Sequence, residues 1–389
     1  MIALVFFWIP VIALVYSYVL YPLVLHMLSS GKQPNRIVFH DTGNLPRVTV
    51  LMALHNEEDV LREKIASILE SNFPPDNLRV LIGSDASTDR TNEILKDISS
   101  SVSSIRCFYF NNRKGKSLII NELAGMVDEG ILIITDANVM MERDAVFHMV
   151  KHFKNKEIGL VDSNMMHKGL KDCGISVPEN AYISREVRIK YAESLIWGTM
   201  MGPFGGCYAI RKKLYSDVPD LFLVDDFFIN MKVIISGHKA IIEPKAVVFE
   251  DVSNSLLEEF KRKIRIAAGN FQNLGYFFRS VFAGIPGLMF SFISHKVLRW
   301  LGPFFLISIF MSSIWLSREQ SFYMYMLVFQ ICVLILPLID YLLGKIKIHI
   351  IILRFITHFI SMNFALLVGF IKFLKGVKTN VWQPTRRNQ

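Results

Sequence analysis

Residues 1–25 carry no charged side chain, a run long enough to cross the hydrocarbon core of a bilayer as a helix. Toward the other end, Leu301–Ser317 and Ser321–Ile339 are also charge-free, and Ile350–Ile371 is apolar apart from Arg354, His358 and Asn363. A chain laid out in this way must fold as a polar middle held between membrane-seeking segments. The 52% apolar content agrees, being high for a purely soluble domain. The first segment reads as an anchor rather than a cleaved leader. It lacks a basic n-region and a small-residue cleavage site, and it is too long and bulky. The third C-terminal stretch leaves two readings open, a span or a buried or interfacial helix.

Lys32, Arg36 and Arg47 follow the first segment and put the polar middle on the cytoplasmic side of the plasma (inner) membrane, in a multi-pass protein. Lys372, Lys375, Lys378, Arg386 and Arg387 favour the same side for the C-terminus. One helix before the middle and three after it would place that terminus outside, so either Ile350–Ile371 does not span or another, interfacial stretch does. The net charge of +9 suits a surface resting on anionic lipid and handling an anionic substrate. Nucleic acid is a poorer partner, because no compact basic helix or zinc pattern is present. Four cysteines without CxxC spacing suggest neither a disulfide framework nor a zinc site.

From Arg47 the pattern changes to alternating strands and helices. Strands are expected at Val48–Leu54, Leu78–Gly83, Ile105–Phe110 and Ile131–Thr135. Helices are expected at Glu57–Ser71, Thr88–Ile98 (with Ser87 as cap) and Lys116–Met126. Such alternation builds a mainly parallel sheet whose ligands bind beyond the carboxyl ends of the strands. The expected organisation is a membrane helix at 1–28, a linker at 29–46, an α/β domain at 47–275, an interfacial region at 276–296 with a short helix near Val281–Ser294, two or three membrane helices within 297–371, and a basic tail at 372–389.

Every strand of this set ends in polar residues. The first runs into Ala53-Leu54-His55-Asn56-Glu57, the second into Ser84-Asp85-Ala86-Ser87-Thr88-Asp89, and the third leads to Arg113-Lys114-Gly115-Lys116. The fourth ends in Asp136-Ala137-Asn138, two oxygen donors at i and i+2 of an extended segment, which suits a hard divalent cation bridging phosphates. Any single tip could be an ordinary helix cap. Further along, Gly202-Pro203-Phe204-Gly205-Gly206 could be a tight turn, and Asp225-Asp226 could cap a helix.

Taken together, these motifs resemble the membrane-bound inverting glycosyltransferases of family two, which have a GT-A nucleotide-sugar fold and include cellulose, hyaluronan and poly-N-acetylglucosamine synthases. The resemblance runs over residues 47–270 in motif order. It implies that Ala53, His55, Asn56, Glu57, Asp85, Lys114, Lys116 and Asp136 bind the nucleotide, with Asp85 on the base. It also implies that Asp136 and Asn138 hold Mg²⁺ or Mn²⁺, with Asn138 standing where the family has a second aspartate. Gly205 and Gly206 would admit the acceptor, and Asp226, beside Asp225, would be the general base. Arg262-Lys263-Ile264-Arg265-Ile266 takes the place of the Gln-x-x-Arg-Trp motif of processive members, keeping the Arg but neither Gln nor Trp. Arg262 and Arg265 would meet the diphosphate, and Trp382 in the tail could fold over the site. The implied reaction moves a sugar, from a UDP-sugar by this resemblance, to a polysaccharide or lipid-linked acceptor, with single addition to polyprenyl phosphate or a glycolipid as the alternative. Accessory membrane or export subunits are possible partners. A non-catalytic sugar-nucleotide-binding membrane protein is the rival of another class.

Overall fold

The computed structural model describes residues 1–40, 43–168, 176–251, 255–282 and 286–381. Residues 382–389 of the basic tail, with Trp382, Arg386 and Arg387, and Cys173 lie outside the described residues. Eight strands form one sheet in the described residues: β1 Val48–Leu54, β2 Leu78–Asp85, β3 Ile105–Phe110, β4 Ile131–Thr135, β5 Val139–Met141, β6 Ile158–Lys168, β7 Cys207–Arg211 and β8 Lys239–Asp251. Their order is β3-β2-β1-β4-β7-β6-β8-β5.

The first four strands are mutually parallel. All seven residues of β1 and all five of β4 are buried, as the apolar runs Val-Thr-Val-Leu-Met-Ala-Leu and Ile-Leu-Ile-Ile-Thr require of strands covered on both faces. The expected ranges of β1, β3 and β4 coincide with the observed ones, and β2 runs on to Asp85. Beyond β4 the sheet turns mixed, with β7 antiparallel to both β4 and β6 and β8 parallel to β6. One apolar cluster fills each side of the sheet.

Helix starts differ from expectation for a local reason. The helix expected from Glu57 begins at Leu61, because the loop before it is tied to the neighbouring strand tip. The Glu57 N–H donates to Thr91 Oγ1 (2.9 Å) and the Glu58 N–H to Asp89 Oδ2 (3.2 Å). The next helix likewise starts at Thr91, whose N–H donates to Asp89 Oδ1 (3.0 Å). Ser87 is therefore not its cap. Its Oγ instead accepts from the Asn56 N–H (3.2 Å) and from Ser84 Oγ (2.9 Å).

Among the described residues, three helices are long and apolar enough to cross a membrane: Ile2–Ser29, Ser321–Lys345 and Ile351–Leu374. A fourth span would be formed by Gly287–Trp300 and Gly302–Leu316, which meet at a 58° bend. The interval expected as a short interfacial helix is instead shared by the end of a 27-residue helix, Leu256–Phe282, and the segments Pro286–Ser291 and Phe292–Val297. The long helix is strongly amphipathic and carries Arg262 and Arg265. The Ile351–Leu374 helix lies against it through Gly369. A Cβ there would collide with Ala267 Cβ and the Ile264 carbonyl, so only glycine permits this approach. Phe260–Phe364 and Phe271–Phe370 ring pairs, with centroids 5.9 and 4.9 Å apart, flank the crossing. The last apolar helix is thus seated on the α/β domain along a side that includes buried His358 and Asn363.

Candidate functional site

The tip of β4 is braced from beneath. Lys64 is fully buried on the Leu61–Leu69 helix, and its ammonium donates to Thr135 Oγ1 (2.9 Å) and to the Val139 carbonyl. Burial without a carboxylate partner pulls Lys64 down to about 8, although the Asp136 charge resists this. The Thr135 hydroxyl and the Asp136 N–H both donate to the Gly206 carbonyl, at 3.0 and 2.9 Å. The strand tip and the glycine segment are therefore one rigid piece.

Of the other three tips, the structure turns one inward. Asp85 is fully buried, and its carboxylate accepts from the Lys114 N–H (2.7 Å), the Gly115 N–H (3.0 Å) and Arg113 Nε (3.1 Å). It holds the basic loop in shape and does not line the cavity described below. His55 is 8% exposed and donates from Nδ1 to the Asp85 carbonyl (2.8 Å); burial, foremost, lowers its basicity. Lys114 also faces away, onto Glu122 (2.5 Å) and the Phe110 ring. Ala53, Asn56 and Glu57 do line the cavity, with Asn56 in a left-handed conformation (φ 54°) fixed by the Thr88 N–H donating to its Oδ1 (2.8 Å).

Lys116 points the other way from Lys114. Its Nζ lies 2.6 Å from Asp136 Oδ1 and 3.4 Å from the Gly205 carbonyl. Burial works against this ammonium but is outweighed by Asp136, Asp225 and Asp226, which hold it above the usual lysine range. Asn138 Nδ2 donates to Glu250 Oε1 (3.3 Å), so its amide oxygen is not engaged by that bond.

Gly205 adopts φ +80°, and a Cβ built there would lie 2.6 Å from Asp226 Oδ2. The glycine thus brings backbone directly onto the carboxylate, a closer reason for it than a turn alone. At Gly206 a Cβ would collide with Met165 Cε. Asp225 and Asp226 open the Asp225–Ile235 helix, where Asp226 Oδ1 accepts from the Phe227 N–H (2.8 Å). Burial, followed by the Asp225 charge, pushes Asp226 up to about 7, against the pull of Lys116. Asp225 Oδ2 is buried with no hydrogen-bond partner among the described residues, as expected of a group whose partner is a ligand.

These groups share one cavity of about 1560 Å³. Asp136, Asn138, Lys116, Gly205, Asp225 and Asp226 line one part, together with Arg262 and Arg265. Arg262 is paired with Glu259 (3.4 Å), and Arg265 Nη1 donates to the Leu223 carbonyl (3.2 Å). The cavity continues to Tyr18 of the first apolar helix and to Phe355, Phe359, Met362 and Leu366 of the last. After that helix the chain returns to the segment bearing Lys116, where Asn380 Nδ2 donates to Ser117 Oγ (3.4 Å).

Several residues around the site were not anticipated. Lys64 had a visible signal, since it occupies the apolar stripe Leu61, Ile65, Ile68 at helical spacing. Lys190 and Asp162 form a buried pair (3.4 Å) beside the Phe204 ring, and burial raises Asp162 to about 6 despite the lysine. Glu193 is buried and gathers three elements. It accepts from the Tyr21 hydroxyl (2.7 Å), the Met201 N–H (3.0 Å) and His295 Nδ1 (2.8 Å). No local pattern marks these two sites, which exist only through contacts distant in sequence.

The strand order, the acidic tip after β4 and the carboxylate pair at a helix start define a GT-A glycosyltransferase fold. The mannosyltransferase PcManGT from Pyrobaculum calidifontis, solved in complex with GDP-Man and Mn²⁺, superimposes with a TM-score of 0.70 at 22% identity, covering 94% of this chain and 98% of that one. Residues 49–218 match the family model described as Glycosyl transferase family 2. Among curated proteins it is 23% identical over 241 residues to one from Bacillus subtilis (strain 168) named "Probable glycosyltransferase YdaM", covering 58% of this chain and 56% of that protein. It is also 23% identical over 241 residues to poly-beta-1,6-N-acetyl-D-glucosamine synthase of Staphylococcus aureus (strain MSSA476), covering 60% of this chain and 57% of that protein. The matched stretches thus span a little over half the length of these relatives.

Proposed function

We propose that the protein is a membrane glycosyltransferase that moves a sugar from a nucleoside diphosphate sugar, with inversion, to an acceptor carried on a lipid. The observation that carries this reading is the single cavity joining Asp136, Asn138, Lys116 and Asp226 to the apolar helices. In the proposed step Asp226 takes the proton of the acceptor hydroxyl, whose oxygen attacks the anomeric carbon as the bond to the diphosphate breaks. A carboxylate raised to about 7 is suited to that duty near neutral pH. Gly205 lets the acceptor reach it, and Lys116, Arg262 and Arg265 supply positive charge for the departing diphosphate.

Asp136 and the Asn138 amide oxygen fit a divalent cation of the Mg²⁺ or Mn²⁺ type. Such ions are commonly held by one or two carboxylates, with substrate phosphates completing the shell. Among the described residues no cluster of three or more His, Cys, Asp or Glu forms a ready-made cage, in keeping with a metal that needs the diphosphate. When bound, it would neutralise charge developing on the leaving group. The uridine nucleotide is carried over from the resemblance in the motifs; the similar proteins include both a GDP-mannose complex and an N-acetylglucosamine polymer synthase.

The lipid-linked acceptor is supported by the cavity wall. Tyr18, Phe355, Phe359 and Met362 present aromatic and apolar surface beside Arg185, while Lys263, Lys296 and Arg299 on the same wall are paired with Glu179 and Glu186, a lining suited to the apolar part of an amphiphile. The domain would then lie on the cytoplasmic face of the inner membrane, carried by several spans. Purified protein supplied with a panel of nucleotide sugars, Mn²⁺ and a polyprenyl phosphate tests the proposal. A single sugar–lipid mass is expected; a long glycan product would replace the lipid acceptor with a growing polymer.

A further inference from the structure

Lys116 and Asp136 form an ion pair where the cation-binding tip meets the acceptor segment, and the pair is neither deeply buried nor free. Their side chains are 22% and 34% exposed, both on the cavity, with Nζ 2.6 Å from Asp136 Oδ1. The same ammonium reaches the Gly205 carbonyl at 3.4 Å. Gly205 in turn lies against Asp226, and the neighbouring Gly206 carbonyl accepts the Asp136 N–H. One lysine therefore ties together the cation-binding carboxylate, the acceptor segment and the base. Arg113 contrasts with it, since its partner Asp85 is wholly enclosed in this structure.

We propose that Lys116 is the resident counter-ion of the β4 tip, holding Asp136 to the Gly205 segment until a metal-bound nucleotide arrives, and then releasing Asp136 and turning onto the diphosphate. The proposal rests on the glycosyltransferase reading and deepens it. A divalent cation on Asp136 and an ammonium at hydrogen-bond distance from the same carboxylate repel each other. Lys116 must therefore leave Asp136 when the cation is taken up. Its flexible stem allows this, and the pyrophosphate offers a replacement anion. The exchange would make metal uptake by the empty site weak and uptake with nucleotide strong.

This predicts opposite signs for two binding measurements on one variant. Full-length Lys116→Gln, in detergent, should bind Mn²⁺ alone at least about tenfold more tightly than the unsubstituted protein, as followed by loss of the free Mn²⁺ electron paramagnetic resonance signal. The same variant should bind UDP in the presence of saturating Mn²⁺ about tenfold more weakly by calorimetry. Lys116→Arg, which keeps the charge, should leave Mn²⁺ affinity near its original value and serves as the folding control. Adding Asp136→Asn should abolish the gain in Mn²⁺ affinity. Equal or weaker Mn²⁺ binding by Lys116→Gln, or none measurable in either protein, overturns the proposal. If the unsubstituted protein binds neither UDP nor GDP with Mn²⁺, the glycosyltransferase reading itself fails, which separates the two outcomes.

Discussion

Gly205→Ala isolates the contact between the glycine segment and Asp226, the proposed base. An added Cβ would lie 2.6 Å from Asp226 Oδ2, whereas ordinary carbon–oxygen contacts begin near about 3.3 Å. The carboxylate must therefore retreat by roughly 0.7 Å, pivoting on the bond from the Phe227 N–H to Oδ1. Holding alanine at φ +80° adds about 1–2 kcal/mol of backbone strain. A misplacement of about 1 Å at a reacting group can cost about 100-fold in rate, so turnover should fall about 10- to 100-fold. Stability should fall only by the strain. Gly237→Ala is the matched control, since Gly237 has φ +84° with nothing within 4 Å of where its Cβ would sit, giving the same strain without the clash. Initial rates of sugar transfer, nucleotide binding and thermal unfolding would be measured on the unsubstituted protein and both variants. Turnover of Gly205→Ala within twofold of the Gly237→Ala value would refute the reasoning.

Two further outcomes follow from the charges around the site. Burial and the Asp225 charge raise Asp226 to about 7, so its basic form is depleted below that pH. The kcat/KM profile should rise with unit slope toward about pH 7 and level off above it, the limb belonging to the Asp225–Asp226 pair; a rate falling between about pH 6 and about pH 8 would contradict it. Glu193→Gln should lower the thermal midpoint in detergent by several degrees, because an amide cannot accept all three bonds that Glu193 accepts from Tyr21, Met201 and His295. An unchanged midpoint would show that this junction carries little stability.

The α/β half of the molecule was legible because its signals are local. β1 and β4 are unbroken apolar runs that must be buried on both faces, and the polar residues that follow each strand fall at one edge of a parallel sheet by topology alone. The fate of those residues was less legible. Asp85 and Asp136 both end strands, yet one is enclosed by the Arg113–Gly115 backbone and the other faces the cavity with Lys116. That difference depends on which way a basic loop closes. The membrane side was read least well. Glu186 and Arg299 carry no signal in the sequence, yet they meet in a buried network with His295 and Lys296. The pairing of groups more than a hundred residues apart leaves no periodicity to read.

If Asp226 is the base of a sugar transfer, the donor should bind independently of its ability to take a proton. The most direct measurement compares transfer and nucleotide binding in Asp226→Asn. The amide keeps the size of the side chain and its acceptor oxygen for the Phe227 N–H, but it cannot act as the base. UDP binding with Mn²⁺ should persist within a few-fold while transfer falls by at least about 100-fold. Transfer retained at the original rate would contradict the role given to Asp226.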